Sequence, residues 1–429
     1  MRKNGHRGIS VGTILMVCLS VLVMVGTVRV IRYLSGGTDH HLTEQLMTMD
    51  FSEVLPERTI DEIPIQQTVA APRLSAAVPV QATPEPAGGQ VHLTFGGTIA
   101  LETAVRQSGY YSDTRLYDFS EILSLVTDDI RSDFSMAPLE NLVVPDAKVS
   151  DLIAPDAVMG MLTAGGFDGA ALGFGKIYDR GFEALRSTVQ SAQNRGLTVF
   201  GAYTNEGEAA LSSHIRTIGN VKVALLHYTE SLSSAGRKSL RKDGNSFAVP
   251  LLEQAAQDIS IVRSLGAQVV VVSVNWGTAG KAEVTSAQKK LAAGLCAAGA
   301  DVIIGNGPRR VQTVEWISSE RGDGTKCTAL CAYSLGCLLS SSTKDSALQS
   351  ILLHVDITVD EKGSVSVRAT YTPTFTWRYK LENLMQYRVL AANGIVPDGM
   401  STEQQKKMAT ALASVEKRLK GSAAEIESE

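Results

Sequence analysis

Two runs of consecutive apolar residues, Val269-Val270-Val271-Val272 and Val302-Ile303-Ile304, constrain this chain most. A strand turns successive side chains to opposite faces, so a run that is apolar at every position needs cover on both. Each run follows an amphipathic helical stretch closed by a glycine. Leu251, Ala255, Ile259 and Val262 share one helical face, and Gly266 precedes the run at 269–274. Leu291, Leu295 and Ala298 repeat the pattern with Gly299, as do Phe182, Leu185, Val189 and Ala192 with Gly196 before a short strand at 198–200. These glycines suit the left-handed end of a helix. The repetition predicts an α/β layered fold, its central strands covered by helices on both faces.

The two ends of the chain differ from this middle. Residues 9–28 contain no charged side chain, and Arg2, Lys3 and Arg7 precede them. At about 1.5 Å per residue such a helix crosses a ~30 Å hydrocarbon layer, with the N-terminus in the cytoplasm. No small-residue cleavage site follows the run, so we expect an uncleaved anchor over 1–33. Six of the thirteen prolines fall within 34–90, which predicts an extended linker. The expected α/β domain then spans 91–375. Residues 351–359 and 365–371 alternate around Asp360-Glu361-Lys362-Gly363 and predict a β-hairpin. The remainder, 376–429, is expected as an extension with an amphipathic helix over 402–419, capped by Ser401 or Thr402.

Charge narrows the function. The net charge is −4, and the first 33 residues hold five basic side chains and no acid, leaving −9 on the rest. Such an acidic body excludes a nucleic-acid binder, which needs a basic face. Cys296, Cys327, Cys331 and Cys337 would lie where disulfides can form. Cys327 and Cys331 are too far apart to bridge if they share a strand and close enough if they share a tight turn. No C-x-x-C pair points to zinc.

Motifs at the ends of the expected strands carry the chemistry. They are Gly96-Gly97-Thr98-Ile99 and Pro138-Leu139-Glu140, then Gly166-Phe167-Asp168 leading to Gly173-Phe174-Gly175-Lys176, with Asp179 and Gly181 beyond. Next come Asn275-Trp276-Gly277, Gly299-Ala300-Asp301 leading to Gly305-Asn306-Gly307-Pro308-Arg309, and Tyr333-Ser334-Leu335-Gly336. In order and spacing the series resembles the CapA-type capsule-synthesis family. The resemblance implies a metallophosphatase-like (calcineurin-like) domain and a role in export or assembly of anionic capsule polymers such as poly-γ-glutamate. In the family pattern Thr98 replaces a metal-bridging aspartate. Gly175 and Lys176 replace an Asn-His pair, Asn275 replaces a histidine, and Asn306 and Arg309 replace histidines at the last strand end. Glu140 is retained.

These replacements predict a degenerate site. Protonated lysine and arginine have no lone pair for a metal and repel it. None of the seven histidines stands at a ligand position of the pattern; His227 reads as a satisfied core residue and His40-His41 as a solvated pair. We therefore expect no metal and no cofactor. In an open α/β sheet, ligands bind beyond the carboxyl ends of the strands. The expected cleft combines Thr98, Lys176, Asn275, Trp276, Asn306, Arg309 and Arg310. Its basic groups would take a carboxylate or phosphate in place of the lost metal charge. Trp276 either packs beneath the cleft or offers a sugar a stacking platform. Glu140 and Asp179 are the candidate catalytic acids, with pairing to Lys176 and capping of the following helix as their respective structural alternatives. Three functions stay open: a binding accessory of envelope-polymer synthesis on the outer face of the cell membrane, an enzyme of altered chemistry, and a structural scaffold using the C-terminal helix. Two bare Ser-x-x-Lys matches, at 239–242 and 341–344, lack the companion motifs of penicillin-binding enzymes and are taken as chance.

Overall fold

The strand Gly89–Phe95 organises the molecule, because both of its edges are taken. It pairs in parallel with Phe134–Pro138 and antiparallel with Gln349–Val359. The computed structural model describes residues 88–342, 344, 347–381, 383–394 and 396–426. From that central strand the first sheet extends one way through Gly169–Ala171 and Thr198–Phe200, all parallel. The other way it runs through the long strand Val365–Leu381 to Leu384–Ala391, all antiparallel. The second sheet has a parallel core of Val221–Thr229, Val269–Asn275, Val302–Asn306 and Lys326–Ala332. Antiparallel strands Ile215–Ile218 and Val314–Glu320 close its two edges.

The sheets pack face to face, each with helices on its outer side. Val91, Leu93 and Phe95 meet Val223, Leu225, Val269, Val271, Val302 and Ile304 in the core between them. Alternate residues of the same strands, Val270, Val272, Val274 and Ile303, pack instead with the helices Ala255–Ser264 and Ser286–Ala298. Behind the first sheet, Ala157–Ala164 and Phe182–Asn194 cover Ala137, Ala170 and Leu172. The apolar runs are thus buried on both faces as expected, but the second cover is a sheet and not a helix. Apolarity reports burial and is silent about which element does the covering.

Local signals stop the elements where they stop. Thr285 and Gln288 form a reciprocal capping box at the start of Ser286–Ala298. Gly196, Gly266 and Gly299 all take positive φ just past their helices. Asp360 Oδ1 accepts from the Lys362 and Ser364 amides and fixes the hairpin turn. The C-terminal helix Thr402–Leu419 is capped by Ser401, whose side chain accepts from the Gln404 amide. Its buried face serves two clusters: Met408 and Ala411 lie with Trp377 and Phe375, while Val415 and Leu419 reach the core between the sheets.

Two boundaries shift. Strand structure already begins at Gly89, inside the expected linker. The strand Val365–Leu381 runs through position 375, and Ala424–Ile426 adds to its edge, so the C-terminal extension is woven into the first sheet. The expected anchor at 9–28 and most of the linker lie outside the described residues. Among the described residues no helix is long and apolar enough to cross a membrane. Cys327 and Cys331 share the strand Lys326–Ala332 and are free thiols, as are Cys296 and Cys337.

Candidate functional site

The parallel strands of both sheets end on one side of the molecule, and their following loops line a cleft of about 1180 Å³. Glu140 follows Phe134–Pro138, Lys176 follows Gly169–Ala171, and Glu230 follows Val221–Thr229. Asn275 ends its strand, with Trp276 next, and Arg309 lies three residues beyond Asn306. All of these except Asn306 line the cleft.

Arg309 is tied to the acids of its lining. Its Nε donates to Glu140 Oε2 at 2.9 Å, and its Nη2 makes a second, shorter bond to the same oxygen. Nη1 lies 3.7 Å from Glu102 Oε1. Burial alone would lower the pKa of this guanidinium, but the Glu140 carboxylate, helped by Glu102, outweighs it and raises the value. The backbone of Arg309 is left-handed, with φ of 54°. That conformation costs a non-glycine residue about 1 kcal/mol, which the carboxylate contacts offset. Glu140 Oε1 accepts from Asn275 Nδ2 at 3.1 Å, and the same amide nitrogen donates to Asn306 Oδ1 at 2.9 Å. Glu102 is held in turn by the Ser341 amide and hydroxyl. Glu230 Oε2 accepts from the Gly277 amide at 2.7 Å.

Of the residues expected from sequence, Glu140, Lys176, Asn275, Trp276 and Arg309 come together. Thr98 and Asn306 lie buried and off the lining; Thr98 Oγ1 and Asn306 Nδ2 have no hydrogen-bond partner among the described residues. Trp276 is 2% exposed, stacks on Tyr333 and donates from Nε1 to its carbonyl at 2.9 Å. It is packing beneath the cleft and offers no open face to a sugar. Arg310 is not among the lining residues and lies near Arg418 of the C-terminal helix, whose charge adds to burial in lowering its pKa. Asp179 also lies off the lining. It accepts from the Ser233 hydroxyl instead of capping Phe182–Asn194, whose first amide bonds Asp243. Lys176 is exposed, and its ammonium has no partner among the described residues.

Sequence reasoning missed Glu102, Asp151 and Glu230. Glu230 was legible, since it follows a buried strand as Glu140 does. Glu102 and Asp151 were not, because they reach the cleft through loops tied by the buried Asn141. Its Oδ1 accepts from the Leu101 amide at 2.7 Å, and its Nδ2 donates to the Asp151 carbonyl at 3.2 Å. With these acids included, the described residues of the lining carry four carboxylates against Lys176 and Arg309. One of the two Ser-x-x-Lys matches, at 239–242, falls within the helix Ser234–Asp243.

The donors present do not fit a two-metal centre. Such a centre needs a bridging carboxylate and several free imidazole or carboxylate ligands. Here both oxygens of Glu140 are engaged, one by the Asn275 amide and the other by the Arg309 guanidinium. Among the described residues no group of three or more His, Cys, Asp or Glu side chains is placed to hold a metal ion.

His227 does structural work below the cleft. Nε2 donates to the Gly173 carbonyl at 2.7 Å, and Nδ1 accepts from Ser273 Oγ at 2.9 Å. Burial pushes its pKa down to about 4, against the bond to Gly173, and burial with the nearby Arg216 charge does the same to His214. An unfolded histidine titrates near 6.5. Both histidines are neutral in both states above that pH, and stability there is unaffected. Between about 6.5 and 4 the unfolded chain takes up protons that the folded one does not. Stability is therefore expected to fall on acidification through that window, by ~1.4 kcal/mol per pH unit for each histidine. Urea unfolding from pH 7 to 4.5 reads the slope, which His227→Gln should make shallower by one histidine's share. Equal slopes would remove His227 as a source.

The family model for the bacterial capsule synthesis protein PGA_cap matches residues 92–342, more than half of the chain and the whole of the cleft. No curated protein matches the chain.

Proposed function

We propose that this chain, which belongs to the bacterial capsule synthesis protein family, serves capsule or anionic envelope-polymer synthesis as a binding component that hydrolyses nothing. The observation that carries this reading is the Arg309–Glu140 pair, a fixed guanidinium on an acid that the family pattern retains. Residues 9–28 anchor the chain, and the cleft faces outward from the cell membrane. Lys176 takes a carboxylate or phosphate of the polymer, as the lining cation that has no partner among the described residues. The four carboxylates repel a dense run of negative charge, so the bound segment presents one anionic group among uncharged polar ones.

The hydrolase alternative asks Glu140 and Asp179 to move protons. Against it, Glu140 is held by Asn275 and Arg309, and Asp179 lies off the lining on Ser233. The scaffold alternative rests on the C-terminal helix, whose buried face is already used within the fold.

The test is a binding titration of the purified full chain in detergent. Polyglutamate, teichoic acid and singly charged oligosaccharides would be compared, alongside metal analysis after manganese, zinc and iron loading and dialysis. We expect saturable binding, weakened at least tenfold by Lys176→Ala, and no retained metal. Two tightly held metals per chain with metal-dependent phosphoesterase turnover would overturn the reading, as would turnover abolished by Glu140→Gln and Asp179→Asn.

A further inference from the structure

A second cavity, of about 220 Å³, lies on the helix-covered side of the second sheet and shares no lining residue with the cleft. Tyr203, Tyr228 and Phe247 contribute to its walls, and Asp258, from the helix Ala255–Ser264, is the one acidic residue among the described residues that line it. Among the described residues no lysine or arginine lines it. Asp258 Oδ2 accepts from the Tyr228 hydroxyl at 3.0 Å, so its charge is met by a neutral donor only. Two further polar groups are left over. Tyr203 Oη accepts from the Gly201 amide at 3.1 Å, and its own proton has no acceptor among the described residues. His214 is 5% exposed, packs its ring 5.1 Å from that of Tyr203, and has no hydrogen-bond partner among the described residues.

Burial keeps His214 and the other wall histidine, His227, neutral at ordinary pH. The nearby cation, Arg216, is engaged elsewhere: it donates to Thr198 Oγ1 at 3.0 Å and lies over the Phe134 ring. The lining therefore carries a single negative charge among aromatic rings. Ring faces attract cations, most of all where water is excluded. A metal ion would find too few oxygen ligands here, since one carboxylate does not replace a hydration shell. An organic cation needs only one counter-charge and apolar walls for its carbon.

We propose that this cavity binds a small organic ammonium ion, its charge on Asp258 and its methyl or methylene groups against the tyrosine and phenylalanine rings. A hydroxyl on the ligand would accept from Tyr203 and exchange a hydrogen bond with His214. The site is independent of the cleft and of its proposed ligand.

Calorimetric titration of the full chain with methylammonium, ethanolamine and choline tests this, with sodium chloride as the ionic control. The neutral carbon isostere of choline, 3,3-dimethylbutan-1-ol, separates charge from shape and needs no variant. At least one ammonium ion is expected to saturate a single site. Asp258→Asn should weaken it tenfold or more, and the isostere should bind at least tenfold more weakly than choline. No saturation by any of the three ions, or equal binding of choline and its isostere, would overturn the proposal.

Discussion

Replacing Arg309 by alanine is expected to lower the unfolding free energy by about 3 kcal/mol. Breaking a buried pair from one side strands the other charge, at about 3–5 kcal/mol. The low end applies because the Arg309 side chain keeps 31% of its exposure, while that of Glu140 keeps 11%. Asn275 would remain as a donor to Glu140, but an amide does not neutralise a carboxylate. The loss should therefore belong to the stranded charge more than to the missing contacts. Adding Glu140→Gln to Arg309→Ala is expected to restore most of the stability, although it removes a second native group. Urea unfolding of the two singles and the double, with unchanged dependence on denaturant, closes the cycle. A double variant as unstable as Arg309→Ala would mean that Arg309 does not act by neutralising Glu140.

Gly305→Ala should be as damaging, for a reason of space alone. A Cβ at this position would stand 2.1 Å from the Tyr333 carbonyl oxygen and 2.4 Å from Trp276 Nε1. Those two atoms bond each other at 2.9 Å across the glycine, so neither can retreat without giving up the bond. Gly305 sits in the central strand Val302–Asn306, where a shift would carry Asn306 and Arg309 with it. A loss of about 3 kcal/mol or more is expected, with altered Trp276 fluorescence in whatever folds. The same substitution at Gly294 supplies the contrast. That residue lies inside the helix Ser286–Ala298 with nothing within 4 Å of a new Cβ, and alanine there should stabilise by about 0.5–1 kcal/mol. If Gly305→Ala unfolds within 1 kcal/mol of the parent, the close approach of Trp276 and Tyr333 is wrong.

The layered architecture was legible because burial writes itself into sequence locally. Val269 to Val272 must be covered on both faces wherever the strand goes, and Gly299 ends its helix by its own backbone freedom. The cleft was legible for a related reason. Residues directly after buried parallel strands arrive on one side of the molecule, and Glu140, Lys176, Asn275 and Arg309 all occupy such positions. The residue types that stand at those positions could also be read there, since a residue type is a property of sequence alone.

Side-chain partnership could not be read, because it depends on which loops meet. Arg309 and Arg310 are neighbours in sequence, yet one enters the cleft and the other turns toward Arg418. Lys176 was a candidate partner for Glu140, but Arg309 takes that carboxylate from 169 residues away in the chain. Glu102 and Asp151 join the site only because Asn141 ties their loops together. The sequence by itself determined that the central strands are covered on both faces, where they end and which residue types stand there, all of which follow from local periodicity and residue type. Only the tertiary structure decided that the cleft is acidic and held by an internal ion pair, because charge balance belongs to the set of groups that long-range packing brings within a few ångströms.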